Sequence, residues 1–223
     1  PPYAIIPASI AGWRCSLFDF SLSILLAKAV ILLVGFPIHE LAHAWTAYRL
    51  GDPTAQRMGR LTLNPLAHLD PLGSLMLLVS FIGWAKPVPV NEYNLRNRRW
   101  GGVLVSLAGP LSNLLMAALL AVPYRLGLFD GLPFGVHQFV QVFVGINVLL
   151  FVFNLIPLAP LDGFRVLSGV LGRAGGELVR IAGTYGPLIL LGLFMLGYVS
   201  PQLNFLGRWL GAAMSVVNRF LLG

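Results

Sequence analysis

Apolar positions run from about Ser21 to Leu50, and the second half of that run carries His39, Glu40 and His43. The stretch exceeds the roughly 20 residues that one helix needs to cross hydrocarbon, so polar chemistry is placed inside a membrane helix. Gly51-Asp52-Pro53 ends it, because Gly tolerates left-handed geometry and Pro disfavours helical dihedrals in the residue before it. A polar connection follows, Thr54 to Asp70. Pro71 to Ala85 is apolar, but it is interrupted by Gly73 and Gly83 and is too short for a helical crossing, which predicts a re-entrant segment. Lys86-Pro87-Val88-Pro89-Val90-Asn91 has two prolines too close for a helix and predicts an extended strand or loop. Gly102 to Val122 and Val136 to Ile156 predict two full spans, and Thr184 to Val199 with Leu203 to Leu222 a closing helical hairpin around Ser200-Pro201. The pattern therefore predicts an all-α polytopic membrane protein of about five transmembrane helices, a re-entrant segment and a short extended strand or loop. No internal repeat is visible, so residues 1–223 read as a single membrane domain, with its core at about 21–166 and the hairpin at about 184–222.

Composition agrees. Of 223 residues 57% are hydrophobic and only 10% charged, whereas soluble domains carry about a quarter charged residues. The net charge of +7 raises the question of nucleic acid, but the arginines lie in short segments between apolar runs rather than on one stripe. Membrane topology accounts for them, and no nucleic-acid partner is expected. Cys15 is alone, which excludes an internal disulfide, and Pro1 to Asp19 lack the charged n-region and cleavage pattern of a signal peptide.

His39-Glu40-Leu41-Ala42-His43 is an HExxH sequence. At 3.6 residues per turn the two histidines lie one above the other on a helix face, within reach of one metal ion. Glu40 follows the first histidine by one position, near enough to a water beside the metal to take its proton. HExxH is short and recurs by chance, but burying two imidazoles and a carboxylate in a bilayer costs several kcal/mol without partners, so a functional reading is the default there. A hydrogen-bonded packing cluster is the bland alternative. Catalytic zinc needs a third protein ligand and an open position. Asp162 is the best candidate, because the segment from Asn154 to Gly163 breaks the preceding helix at Pro157 and Pro160, and Gly163 permits a tight backbone.

With HExxH on one membrane helix and Asn154-Leu155-Ile156-Pro157-Leu158-Ala159-Pro160-Leu161-Asp162-Gly163 on another, the sequence resembles the site-2 protease family of intramembrane metalloproteases. The resemblance extends to Gly59 to Pro65, His68 to Pro71, Ala85 to Asn91 and Ala108 to Asn113, and covers roughly Ile31 to Val166. It is closest to the small bacterial branch, since these 223 residues hold no PDZ-like insertion or nucleotide-sensing domain. It implies one Zn2+ ion on His39, His43 and Asp162, with Glu40 as general base and later proton donor to the leaving amine. It also implies that Asn154 steadies the substrate carbonyl or its oxyanion; an interhelical hydrogen bond is the alternative for that side chain. The implied substrate is a membrane-anchored protein or peptide, and the implied setting a bacterial cell membrane.

Two features stay open at the level of sequence. Lys86 to Asn91 fits both a strand edge that holds an extended substrate and a rigid connector. His68 fits a turn-holding role better than that of a further ligand. A catalytically silent subunit of a larger membrane complex is the alternative function, with the intact histidines and acids against it. Both HExxH and Asp162 fall near the C-terminal ends of their spans, so those spans run the same way. With Gly102 to Val122 crossing back between them, Pro71 to Ala85 has to return to the side it left. Arg49, Arg57, Arg60, Lys86, Arg96, Arg98, Arg99, Arg165, Arg173 and Arg180 then share one face, which the positive-inside rule makes cytoplasmic.

Overall fold

A computed structural model describes residues 21–79 and 83–222. Cys15 and the stretch from Pro1 to Asp19 lie outside the described residues, as do positions 80–82 of the expected re-entrant segment. The described residues form ten α-helices with short 3-10 turns and no strand; one isolated antiparallel bridge joins Leu69 and Ala85.

The first span is one continuous 28-residue helix in three parts: α1 (Leu22–Val30), a π-helical turn (Ile31–Gly35) and α2 (Phe36–Arg49). Ser21 caps its start by accepting from Ile24 N. The π turn has a local cause. Pro37 has no N–H for the carbonyl of Leu33, and Phe36 N–H reaches five residues back to Ile31 O instead. The wider turn absorbs the proline and leaves a regular α2 to carry His39, Glu40 and His43.

Two short helices follow, α3 (Thr54–Arg57) and α4 (Pro71–Val79). Lys28, buried in α1, donates from Nζ to Leu78 O near the end of α4 at 3.2 Å. The long central helix is α5 (Arg98–Arg125), and α6 (Phe134–Asn154) returns beside it. Both differ slightly from the apolar runs that predicted them, because such runs mark hydrocarbon while helix ends are set by caps and prolines. Asn97 accepts from Trp100 N to start α5 above the first apolar residue, and α6 stops before Ile156-Pro157. The remaining helices are α7 (Asp162–Leu171), α8 (Gly176–Thr184), α9 (Gly186–Val199) and α10 (Phe205–Leu222). Pro187 lies in the first turn of α9, which is bent by 61° from α8. Asn204 Oδ1 accepts from Gly207 N at 2.8 Å and caps α10.

Among the described residues three helices are long and apolar enough to cross a membrane: Leu22–Arg49, Arg98–Arg125 and Phe134–Asn154. Counting the bent α8–α9 pair as one span makes four. Leu104, Leu111, Leu115, Leu119 and Val122 stand exposed along the outer side of α5, an arrangement that suits hydrocarbon as solvent. The inner side of α5 is small, with Gly101, Gly102, Ser106, Gly109 and Asn113 buried, so neighbouring backbones come close. Helices α1–α2 and α6 are parallel: Ser21 Oγ donates to Gln138 Oε1 at 2.9 Å near one end, and further along the side chains of His39, Asn113 and Asn147 meet in sequence. Helix α5 is antiparallel to both, with Tyr124 beside His137 and Val105 beside His43. On its other flank α5 takes α7. A Cβ at Gly169 would strike Val103, and the guanidinium of Arg99 donates to Gly169 O at 2.7 Å and to Val170 O at 2.8 Å. Arg99 thus ties down the far end of the helix that begins at Asp162.

Candidate metal centre

His39 and His43 are four residues apart on α2, and their rings stand edge to face with Nε2 atoms 3.1 Å apart. Each ring is held by its other nitrogen. His39 Nδ1 lies 2.5 Å from Asn113 Oδ1, and His43 Nδ1 lies 2.7 Å from Val105 O. Both acceptors lack a proton to give in return, so each Nδ1 carries the hydrogen and each Nε2 presents a lone pair. Asn113 is in turn fixed by donating from Nδ2 to Asn147 Oδ1 at 3.1 Å, and Asn147 donates to Phe143 O at 3.0 Å. Pro110, inside α5, has no N–H for Ser106 O, which opens the helix ladder next to the carbonyl that receives His43.

Asp162 comes from the other side, as the first residue of α7. The chain can turn there because residue 163 is glycine: a Cβ would run into the carbonyls of Leu155 and Ile156 at the end of α6. Asp162 Oδ2 lies 3.4 Å from His39 Nε2 and 3.3 Å from His43 Nε2. The ligand atoms of these three residues all fall within 4.8 Å of one another. Zinc bonds of about 2.0–2.1 Å in a tetrahedron require edges of about 3.3–3.4 Å, and the triangle here has edges of 3.1, 3.3 and 3.4 Å. Two neutral imidazoles and one carboxylate at that spacing fit a zinc ion with its fourth position open. Room for it depends on Gly109, where a Cβ would collide with Nε2 of both histidines.

Glu40 stands apart from this triangle. It is buried, and its Oε2 accepts the backbone N–H of Val88 at 2.9 Å. Asn154 is the last residue of α6; its Nδ2 donates to Leu150 O at 3.0 Å within the same helix, which uses one of the two amide hydrogens. His68 is fully buried away from the cluster, where Nε2 donates to Thr62 O at 2.9 Å and the backbone carbonyl accepts from Lys86 N at 2.7 Å. His137 lies beside Tyr124, against the opposite end of α5.

Sequence alone assigned no role to Asn147 or the carbonyl of Val105, and Gly109 and Asn113 entered only as part of the family-like segment Ala108 to Asn113. The two asparagines carried a usable signal, since each is a polar amide inside an otherwise apolar span. A backbone carbonyl carries none.

Comparison with known proteins is consistent with this centre. Residues 129–196 match the model of "Peptidase family M50", a stretch that contains Asn154 and Asp162 but not the HExxH sequence. YwhC of Bacillus subtilis (strain 168), named as a zinc metalloprotease, is 41% identical over 182 residues, 79% of this chain and 83% of YwhC. Rip2 of Mycobacterium tuberculosis (strain ATCC 25618 / H37Rv), also named as a zinc metalloprotease, is 34% identical over 178 residues, 77% of this chain and 66% of Rip2. No solved structure matches the chain. Its apolar helices make it an integral membrane protein, and its likeness to YwhC over most of both chains shows that it belongs to peptidase family M50, the site-2 protease family, as a zinc metalloendopeptidase.

Proposed function

We propose that the protein hydrolyses peptide bonds of membrane-embedded substrates, with His39, His43 and Asp162 holding one zinc ion and Glu40 moving the protons. Zinc, when bound, supplies the Lewis acidity that makes water a nucleophile at neutral pH. Glu40 accepts the proton that water gives up and delivers it to the leaving amine. The second amide hydrogen of Asn154 serves the oxygen of the scissile carbonyl as charge builds on it, a contribution of about 2.7–4 kcal/mol for an oriented donor. The observation that carries the reading is the triangle of Nε2, Nε2 and Oδ2 with Glu40 next in sequence but outside it. A ligand would be in the triangle; a base belongs beside it.

The membrane arrangement follows from the same triangle. Helices α1–α2 and α6 bring their C-terminal halves to one centre, and α5 crosses back between them. Helix α4 has nine residues, about 14 Å of helix, against a core of about 30 Å, which suits a segment that enters and returns. With α8–α9 as one bent crossing and α10 as another, the described residues form a single domain with five crossings and its active site toward the cytoplasm.

The test is Glu40→Gln, purified and reconstituted in lipid vesicles with a quenched-fluorophore peptide that spans the bilayer once. Cleavage falls by about 100-fold or more while zinc stays at one per chain. Loss of zinc from this variant would place Glu40 among the ligands, and full cleavage would remove it from the chemistry.

A further inference from the structure

We infer that the backbone N–H of Val88 is a positioning group for Glu40, and that Pro87 and Pro89 are there to aim it. The inference rests on the proposed role of Glu40 and adds the device that orients its carboxylate.

Between Lys86 and Val90 the chain reads Pro87-Val88-Pro89, so Val88 holds the one N–H of three consecutive residues. That hydrogen goes to Glu40 Oε2 at 2.9 Å, and both residues are 8% exposed. Pro89 keeps Val88 out of the helical region and Pro87 has a fixed φ, so the direction of the donor is set by covalent geometry. The Val88 side chain adds an anchor. It packs with Ala44, one turn beyond Glu40 on α2, and with Ala55, flanked by Leu61 and Val90.

Both ends of the segment are fastened. Upstream, Lys86 N donates to His68 O at 2.7 Å, Arg60 Nη2 donates to Lys86 O at 2.5 Å, and Ala85 pairs with Leu69. Downstream, Asn91 N donates to Asp52 Oδ2 at 2.7 Å and Asn94 Nδ2 to Asp52 Oδ1 at 2.8 Å. A buried carboxylate gains from such a donor, and with Oε2 engaged by a rigid backbone the rotation of the group is fixed and Oε1 is the oxygen offered to a proton. His68, which the sequence left between two roles, acts here as part of the clamp.

The direct test replaces Val88 by its α-hydroxy acid through nonsense suppression, which turns the N–H into an ester oxygen and keeps the side chain. In the full chain in vesicles, with the same single-span peptide, kcat falls about tenfold, KM stays within twofold and zinc remains at one per chain. Wild-type kcat, or loss of zinc along with activity, would overturn the inference. In a Glu40→Asp background, where the carboxylate is one methylene further from Val88, the ester costs less than twofold; an undiminished tenfold loss there would mark a merely structural role. Should the ester variant fail to fold, Pro87→Ala with Pro89→Ala keeps the N–H but frees its direction, and kcat falls severalfold at unchanged KM and zinc content; wild-type kcat in that variant overturns the aiming role. Glu40→Gln in the same assay separates the two levels. If it cleaves, the base assignment fails; if it is inactive while the ester variant runs at full rate, only the inference about Val88 fails.

Discussion

His39 Nδ1 lies 2.5 Å from Asn113 Oδ1, a contact between two buried side chains 74 positions apart in sequence, on α2 and α5. It fixes which nitrogen of His39 carries the proton and which faces Asp162. Replacing Asn113 with Ala leaves the imidazole free to rotate and to change tautomer. Zinc affinity is expected to fall by about 10–100-fold, read by competition with a chelator. Unchanged affinity would show that the ring is held by packing alone.

Asp52 makes a second expectation, this one about stability. Its fully buried carboxylate accepts from Thr54 N at 3.1 Å, Thr54 Oγ1 at 2.5 Å, Asn94 Nδ2 at 2.8 Å and Asn91 N at 2.7 Å. Burial alone would raise its pKa, but these hydrogen bonds outweigh burial and hold it below the ordinary carboxylate range. A pKa lowered by folding stabilises the protein above the unfolded value of about 3.9, and that stability is lost as pH falls through the folded value. Asp52→Asn is therefore expected to cost about 2 kcal/mol at pH 7, seen as a lower thermal midpoint in detergent, and the gap from wild type should narrow as pH drops below about 3.9. A gap independent of pH would assign the effect to packing.

Much of this was legible in the residues themselves. Apolar runs located α1–α2, α5 and α6, because hydrocarbon demands length and apolarity that little else imitates. The HExxH spacing located the paired imidazoles, because i and i+4 share a helix face. The π turn at Ile31–Gly35 was not read, although Pro37 is its cause: a proline well inside a helix signals a disturbance of the ladder but not which local geometry absorbs it. Gly109 was quoted for its likeness to a family segment, but its reason is steric and needs three dimensions: α5 must lie against the two Nε2 atoms. The contact of Val88 with Glu40 was beyond sequence altogether, because a backbone donor has no residue type.

The orientation in the membrane is open to labelling. Single cysteines at Thr54, Asn94, Asp130 and Gly172, in a Cys15→Ser background, can be probed with a membrane-impermeant thiol reagent on intact cells. Only position 130 is expected to react, since Thr54 follows the end of α2, Asn94 precedes the start of α5, and Gly172 lies against Arg99 at that same start of α5. Reaction at 94 but not at 54 would make the segment between them a full crossing, and the proposed topology would fall.

The central claim is that Asp162 completes a zinc site with His39 and His43. Two imidazoles alone make a poor zinc site, so the claim is tested most directly by metal analysis of the purified protein with Asp162 intact and with Asp162→Ala. The wild-type chain is expected to hold one zinc ion and the variant less than about a tenth of that, with peptide cleavage lost in step. Stoichiometric zinc retained by Asp162→Ala would contradict the account, because the third ligand would then be some other residue and the triangle of His39, His43 and Asp162 would not be the metal centre.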